Sequence, residues 1–266
     1  MKKIVLIRGG GDLASGVALR LIKTGMDVYI TELPQPLVVR RTVSFAEAVY
    51  EGTWDVEGVT AVRAKNVVEA SGLTKNGCIP VLVDPNLELI EEINPDVLVD
   101  ARMLKLPVEY NLNLVNLIIG LGPGFQVGNN CHVLVETNRG HFLGRVFWKG
   151  RAEENNGMPG SVMGIQEQRV LRSPEDGVFM SYASICDEID VGKPVGQVGN
   201  KVIIAPFSGL IRGLIHDGLF VQKNMKIGDI DPRLDMKYCT YVSEKALAIA
   251  GGVLEAILTG EHISRI

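Results

Sequence analysis

Apolar residues fall in short unbroken runs through the first half of the chain and change their spacing in the second. Ile4-Val5-Leu6-Ile7 is the first run, and Gly9-Gly10-Gly11 follows it. Beyond the glycines, Leu13, Val17, Leu21 and Ile22 recur at helical spacing, and Gly25 ends that helix. Val28-Tyr29-Ile30-Thr31-Glu32 then reads as a second strand. The alternation continues with strands over Val59–Val62, Ile79–Asp84, Asp96–Asp100 and Leu114–Ile119, the last of the set. Helical spacing fills Asn66–Leu73 and Leu87–Ile93 between them. Near-continuous apolar strands separated by helices predict a parallel sheet covered on both faces.

Strand, glycine turn, helix and a strand ending in a carboxylate form the opening of a dinucleotide-binding unit. A phosphate approaches backbone closely where no Cβ intrudes, and helix-start N–H groups can hold it. Gly9, Gly10, Gly11 and Asp12 are therefore candidates for a phosphate cradle. Glu32, about twenty residues after the turn, stands where an acidic residue bonds a ribose hydroxyl. A glycine turn also serves close helix–strand packing, so both readings stand. Ligands in such sheets lie outside the carboxyl ends of the strands. That edge collects Asp84, Asp100 with Arg102 and Lys105, and the Gly122-Pro123-Gly124 loop. Asp84, before Pro85, can equally cap the next helix, and Asp100 can equally form a local ion pair.

After Cys131 the helical spacing nearly vanishes, and a weak repeat takes its place. Pro174-Glu175-Asp176-Gly177-Val178 recurs thirty-two positions later as Pro206-Phe207-Ser208-Gly209-Leu210. Each copy is followed by an apolar segment ending in glycine, Gly196 in one half and Gly228 in the other. This pattern resembles the two halves of biotinyl- and lipoyl-type barrels. Lys201 lies at the hairpin where those carriers hold their cofactor, yet it lacks their flanking residues, so no biotin or lipoate is expected. Ser243 to Leu258 reads as a closing helix interrupted by Gly251-Gly252, capped by Ser243 and ended by Gly260. The expected architecture is α/β: a Rossmann-like parallel sheet (1–130), a β-rich barrel-like domain (131–240), and a C-terminal helix (241–266) packed on the first domain.

Composition narrows the chemistry. The 266 residues hold 46% apolar side chains, enough for two cores, and 27 basic against 31 acidic residues give a net charge of −4. No basic stretch is interleaved with aromatics, which argues against nucleic acid. The apolar runs are too short for a signal peptide or a membrane span, so a cytoplasmic protein is expected. Cys78, Cys131, Cys186 and Cys239 are scattered, so neither a disulfide framework nor a metal site is expected. Arg139, His141 and Arg145 can form an anion-recognition loop, or can satisfy carbonyls and cover surface. Arg40 and Arg41, eight and nine positions past Glu32, are placed beside the ribose end of the crevice. Glu32 would repel a 2′-phosphate, which favours NAD over NADP. His132 adjoins Cys131 without an evident partner, and no catalytic residue is assigned.

A family resemblance rests on these motifs taken together. Arg8-Gly9-Gly10-Gly11-Asp12-Leu13-Ala14-Ser15-Gly16 is joined by Arg40-Arg41-Thr42-Val43-Ser44-Phe45-Ala46, Gly120-Leu121-Gly122-Pro123-Gly124-Phe125, Glu136-Thr137 with Arg139-Gly140-His141, and Gly228-Asp229-Ile230-Asp231-Pro232-Arg233. The set resembles the YqeB family over essentially the whole chain, and the first half is similar to the XdhC group. The resemblance implies an accessory role in maturing selenium-dependent molybdenum hydroxylases such as xanthine dehydrogenase. It implies as ligand a dinucleotide form of the molybdenum cofactor, with NAD as the other candidate. The competing expectation is an NAD(P)-dependent oxidoreductase or a sulfur or selenium transferase; a homo-oligomer fits either. Where the family pattern leads one to expect Ile-Gly-Asp, this chain has Ile185-Cys186-Asp187, which places a transfer role for Cys186 in doubt.

Overall fold

The computed structural model describes residues 2–154 and 160–263. They divide into two compact units, one from 1–36, 44–155 and 242–266, the other from 37–43 and 156–241. Residues 131–155 thus belong with the first unit, and the short segment 37–43 joins the second.

The first unit opens with β1 (Ile4–Arg8), α1 (Asp12–Lys23) and β2 (Asp27–Glu32), followed by α2 (Ala48–Glu51) and the hairpin β3 (Thr53–Val56) and β4 (Val59–Ala64). Then come α3 (Val67–Lys75), β5 (Ile79–Val83), α4 (Ile90–Ile93), β6 (Val97–Asp100), β7 (Leu117–Leu121), β8 (Val133–Val135) and β9 (Val146–Phe147). Nine strands form one sheet in the order β3-β4-β5-β2-β1-β6-β7-β8-β9. The inner strands run parallel, while β3 and β9 run antiparallel to their neighbours at the two edges.

Local chemistry accounts for the elements. Asp12 in the first turn of α1, and Arg20 and Lys23 in its last, suit the helix dipole. Asn66 caps α3 by accepting from the Glu69 N–H, and the Glu69 carboxylate answers with the Lys65 N–H. Glu57 and Gly58, both with positive φ, make the two-residue turn that folds β3 back on β4. Asp84 accepts from the Glu88 and Leu89 N–H groups, and α4 is held to one turn between Leu87 and Asn94, both at positive φ.

The expected Rossmann-like parallel sheet is corrected by this arrangement. The sheet is mixed, it extends two strands past Leu114–Ile119, and among the described residues no helix joins β6 to β7 or β7 to β8. The reason lies in the connections: Pro107, Asn111, Asn113 and Asn116 in one, and Pro123, Asn129 and Asn130 in the other, favour turns over helix.

The second unit contains β10 (Val170–Arg172), β11 (Gly177–Ser181), β12 (Glu188–Ile189), β13 (Pro194–Val198), β14 (Lys201–Ile204), β15 (Gly209–Leu214), β16 (Phe220–Val221), β17 (Lys226–Asp231) and the single-turn α5 (Lys237–Thr240). They form two antiparallel sheets, β10-β17-β15-β12 and β14-β13-β11-β16. The thirty-two-residue offset superposes β11 on β15, β12 on β16 and β13 on β17. Each copy of the repeat exchanges a strand with the other: β11 pairs with β16, and β12 with β15. The expected biotinyl-type barrel is corrected here too, since the two sheets share no hydrogen-bonded strand pair and do not close on each other. Register shifts at Leu171/Arg172, Ile211/Gly213 and Pro194/Gly196 interrupt the ladders. Phe179, Val198, Ile211, Val221 and Ile230 fill the space between strands, each fully buried. Each contributes about 1.5–3 kcal/mol by leaving water. Lys201 begins β14 and pairs with Glu175.

Helix α6 (Glu244–Ile263) runs through Gly251-Gly252 without a break and belongs to the first unit, where it lies along α1. The Ala246 N–H is capped by the Ser243 hydroxyl. Gly16 brings the two helices together, because a Cβ there would lie 2.7 Å from that of Ala246. Among the described residues no helix is long and apolar enough to cross a membrane.

Candidate functional site

Arg8 and Thr31 close β1 and β2 at facing positions of the register, with Asp100 facing Arg8 from β6. Strand alternation puts these three side chains on one face of the sheet, beyond the buried Leu6, Tyr29 and Leu98. Asp100 is fully buried, and Arg102 grips it bidentately through Nε to Oδ1 at 3.0 Å and Nη2 to Oδ2 at 2.6 Å. Tyr110 donates its hydroxyl to Asp100 Oδ2 at 2.7 Å and accepts from Arg8 Nη1 at 2.9 Å. Arg8 Nη2 reaches the Pro85 carbonyl at 2.8 Å. Burial and the Asp100 charge push the Tyr110 hydroxyl up to about 12, against the pull of Arg8, so it stays a donor. Arg8 Nε and Thr31 Oγ1, both buried at this rim, have no hydrogen-bond partner among the described residues.

On the opposite face the glycine turn is occupied by the chain itself. The Gly10 N–H donates to Glu32 Oε1 at 2.9 Å, and the Gly10 carbonyl accepts from Ala46 N–H at 2.9 Å. A Cβ on Gly10 would sit 2.9 Å from the Ala46 nitrogen, and one on Gly9 would press on Arg102. Gly9, at φ +93°, donates its N–H to the Thr31 carbonyl. Gly11 is the extended cap of α1, and Asp12 is the first helical residue. Glu32 gives its second oxygen to the Leu33 N–H. Burial raises its pKa, and the two backbone donors offset only part of that.

Gly122, at φ +110°, packs on Met103; Gly124 lies under the carbonyls of Leu104 and Leu106 and donates its N–H to Leu104. Arg139 pairs with Glu244 at 2.6 Å with both side chains largely in solvent, where such a pair is worth at most about 1 kcal/mol. His141 stacks edge-on against Phe142, whose ring carries the Arg145 guanidinium. Cys131 is fully buried, with its thiol pushed up to about 12, and His132 Nδ1 accepts from the Ile118 N–H. Burial lowers the His132 pKa, which keeps the imidazole neutral.

Arg40 and Arg41 have partners within the second unit. Arg40 donates to the carbonyls of Tyr238 and Tyr241, and Arg41 to that of Leu214, with His216 alongside. The same unit buries a row of alternating charges in which Arg169 meets Asp229, Arg212 lies between Asp229 and Asp231, and Arg233 clasps Asp231. Arg233 also lies over the Tyr238 ring, 3.6 Å from its centre. Beside this row the Cys239 thiol hydrogen-bonds the Ile211 carbonyl at 3.6 Å, and the Cys186 N–H donates to the same oxygen at 2.8 Å. Sequence reasoning passed over Arg8, Thr31 and Tyr110. The available signal was an arginine closing an otherwise apolar strand.

No protein-family model matches the chain. Among solved structures it is matched to an aspartoacylase family protein of Mesorhizobium loti MAFF303099, 12% identical over 86% of this chain and 84% of that one, with a TM-score of 0.25. A succinylglutamate desuccinylase from Silicibacter sp. TM1040 is 13% identical over the same shares, with a TM-score of 0.26. A succinylglutamate desuccinylase/aspartoacylase from Rhodobacter sphaeroides is 9% identical over 86% and 85%, also at 0.26. Scores this low carry no activity across. The expected role in maturing molybdenum hydroxylases, with its oxidoreductase and transferase alternatives, is nevertheless corrected. The turn meant for a dinucleotide is filled by the chain's own Glu32 and Ala46. In sequence the chain is 46% identical, over 98% of its length, to the uncharacterized protein YqeB of Escherichia coli (strain K12). It spans about half of that relative, 48%. The chain belongs to the YqeB family.

Proposed function

We propose that the first unit is a binding module for a small oxyanion, a carboxylate or a phosphate-type group, received at the rim between β1 and β2. The observation that carries this reading is the pair of buried atoms without protein partners, Arg8 Nε and Thr31 Oγ1, at facing positions on adjacent strands. An unsatisfied buried donor costs roughly 1–3 kcal/mol, and a ligand oxygen accepting from both recovers it. Arg8 is held for the task, since its other two nitrogens are fixed on Tyr110 and the Pro85 carbonyl. The Asp100–Arg102–Tyr110 group supplies a rigid wall, and among the described residues no carboxylate pairs directly with Arg8. Binding rather than turnover fits the groups nearby, because Cys131 is buried and protonated and His132 is engaged.

Calorimetric titration and thermal shift with phosphate, sulfate, acetate and succinate test this, with chloride as control. The oxyanions should raise the melting temperature where chloride does not. Thr31→Val, which keeps the shape and removes the hydroxyl, should weaken binding about tenfold. An unchanged affinity in Thr31→Val, or stabilisation by chloride equal to that by oxyanions, would count against the site.

A further inference from the structure

Cys186 and Cys239 stand fifty-three positions apart in the sequence, and in the second unit they lie close enough for Cys186 to act on the Cys239 thiol. Both converge on Ile211: its carbonyl accepts from the Cys186 N–H at 2.8 Å and lies 3.6 Å from the Cys239 sulfur. Their surroundings differ. Cys186 is partly exposed on the loop after Ser184, at φ +79°, a conformation in which a cysteine is rarely placed. Cys239 is fully buried in α5. The charges acting on Cys239 are the guanidinium ions of Arg40, from segment 37–43, and Arg212, from β15. Arg212 is shared with Asp229 and Asp231. Burial pushes the Cys239 thiol up to about 12, and the two cations offset only part of that.

We infer that Cys186 and Cys239 form a thiol–disulfide exchange site, with Cys186 as the entry thiol and Cys239 as the resolving one, whose co-substrate is an external disulfide of the glutathione type. In the first step the Cys186 thiolate attacks one sulfur of the external disulfide. A Cys186–S–S–R bond forms, the external S–S bond breaks, and one thiolate leaves. In the second, the Cys239 thiolate attacks the Cys186 sulfur and expels the other thiolate. The two protein thiols are oxidised, the external disulfide is reduced to two thiols, and the two protons from the cysteines end on them. The product fastens the 184–187 loop to α5. That helix already holds segment 37–43 through Thr42 Oγ1 on the Cys239 carbonyl and Arg40 on those of Tyr238 and Tyr241.

The test uses the whole chain, reduced and then exposed to a series of glutathione redox ratios, quenched in acid, alkylated and mapped by mass spectrometry. In the wild type, peptides carrying Cys186 and Cys239 should become linked and separate again on reduction, while Cys78 and Cys131 stay unlinked. In Cys239→Ser, Cys186 should stop as the glutathione mixed disulfide. Cys186→Gly suits the local backbone, so it keeps the fold, and there Cys239 should resist modification at least tenfold longer than Cys186 does in the wild type. The proposal fails if wild-type Cys186 halts at the mixed disulfide with no link to Cys239. It also fails if Cys239 in folded Cys186→Gly reacts as fast as Cys186 in the wild type.

Discussion

Glu32 and Tyr110 show how burial changes what a residue does. A carboxylate at the end of β2 reads as a ribose ligand until its two oxygens are traced to the N–H groups of Gly10 and Leu33. Its role is then to close a turn, and burial raises its pKa above the ordinary 4.5. A carboxyl raised in the folded state contributes stability that is fully present below its unfolded pKa and lost as pH rises through the folded one. Urea unfolding from pH 4 upward should therefore show wild type losing stability relative to Glu32→Gln; parallel curves would show that burial does not shift this group. Tyr110 carries a different load. Removing its hydroxyl takes a donor from Asp100, which is wholly buried, and an acceptor from Arg8. Tyr110→Phe should cost about 1–3 kcal/mol in unfolding free energy, and a loss under 0.5 kcal/mol would show that the network is not stabilising.

At the level of elements, what was legible was what local chemistry dictates. The apolar runs of β1, β2, β5 and β6 declare themselves, and so do the capped helices α1 and α3. The β3–β4 hairpin was half missed because its turn places Glu57 at positive φ, where Asn or Asp would have announced it. Beyond β6 only β7 was legible; β8 and β9, of three and two residues, are too short to declare themselves as apolar runs. The convergence of Cys186 and Cys239 on the Ile211 carbonyl was invisible, because only the tertiary fold of the second unit brings two isolated cysteines together. Gly251-Gly252 is the instructive case. The pair looks like a helix breaker, yet α6 runs through it, and the two glycines differ in kind. A Cβ on Gly251 meets open space, whereas one on Gly252 would strike the Gly144 carbonyl and lie 2.7 Å from Val135. Gly251→Ala should accordingly stabilise the protein by about 0.5–1 kcal/mol through helix propensity alone. Gly252→Ala should destabilise it by about 1–3 kcal/mol through overpacking. Thermal unfolding of the two variants decides the matter, and equal shifts in one direction would contradict the packing described for α6.

The whole chain joins two units whose buried charges answer acid in opposite senses. In the first unit, Glu32 stabilises more as it takes up its proton on acidification. In the second, burial alone would raise the Asp231 pKa, but hydrogen bonds from Arg233 and the charges of Arg233 and Arg212 outweigh it and hold the group below its ordinary 3.8. A lowered carboxyl contributes stability that is present above its unfolded pKa and lost as pH falls through the folded one. Protonating Asp231 also strands Arg233 and weakens the row through Arg212 to Asp229, where leaving a buried charge unpaired is the costly event. Acid should therefore open the second unit before the first. Pepsin, active in this range, reads the order directly: below about pH 3.8 the first cuts should fall within β10 to β17, while β1 to β9 stay resistant. In Asp231→Asn, less stable at neutral pH because Arg233 loses its charged partner, that acid-dependent step should flatten. Simultaneous cleavage of both units, or first cuts in the nine-stranded sheet, would show that the Asp231 cluster does not set the acid limit of this molecule.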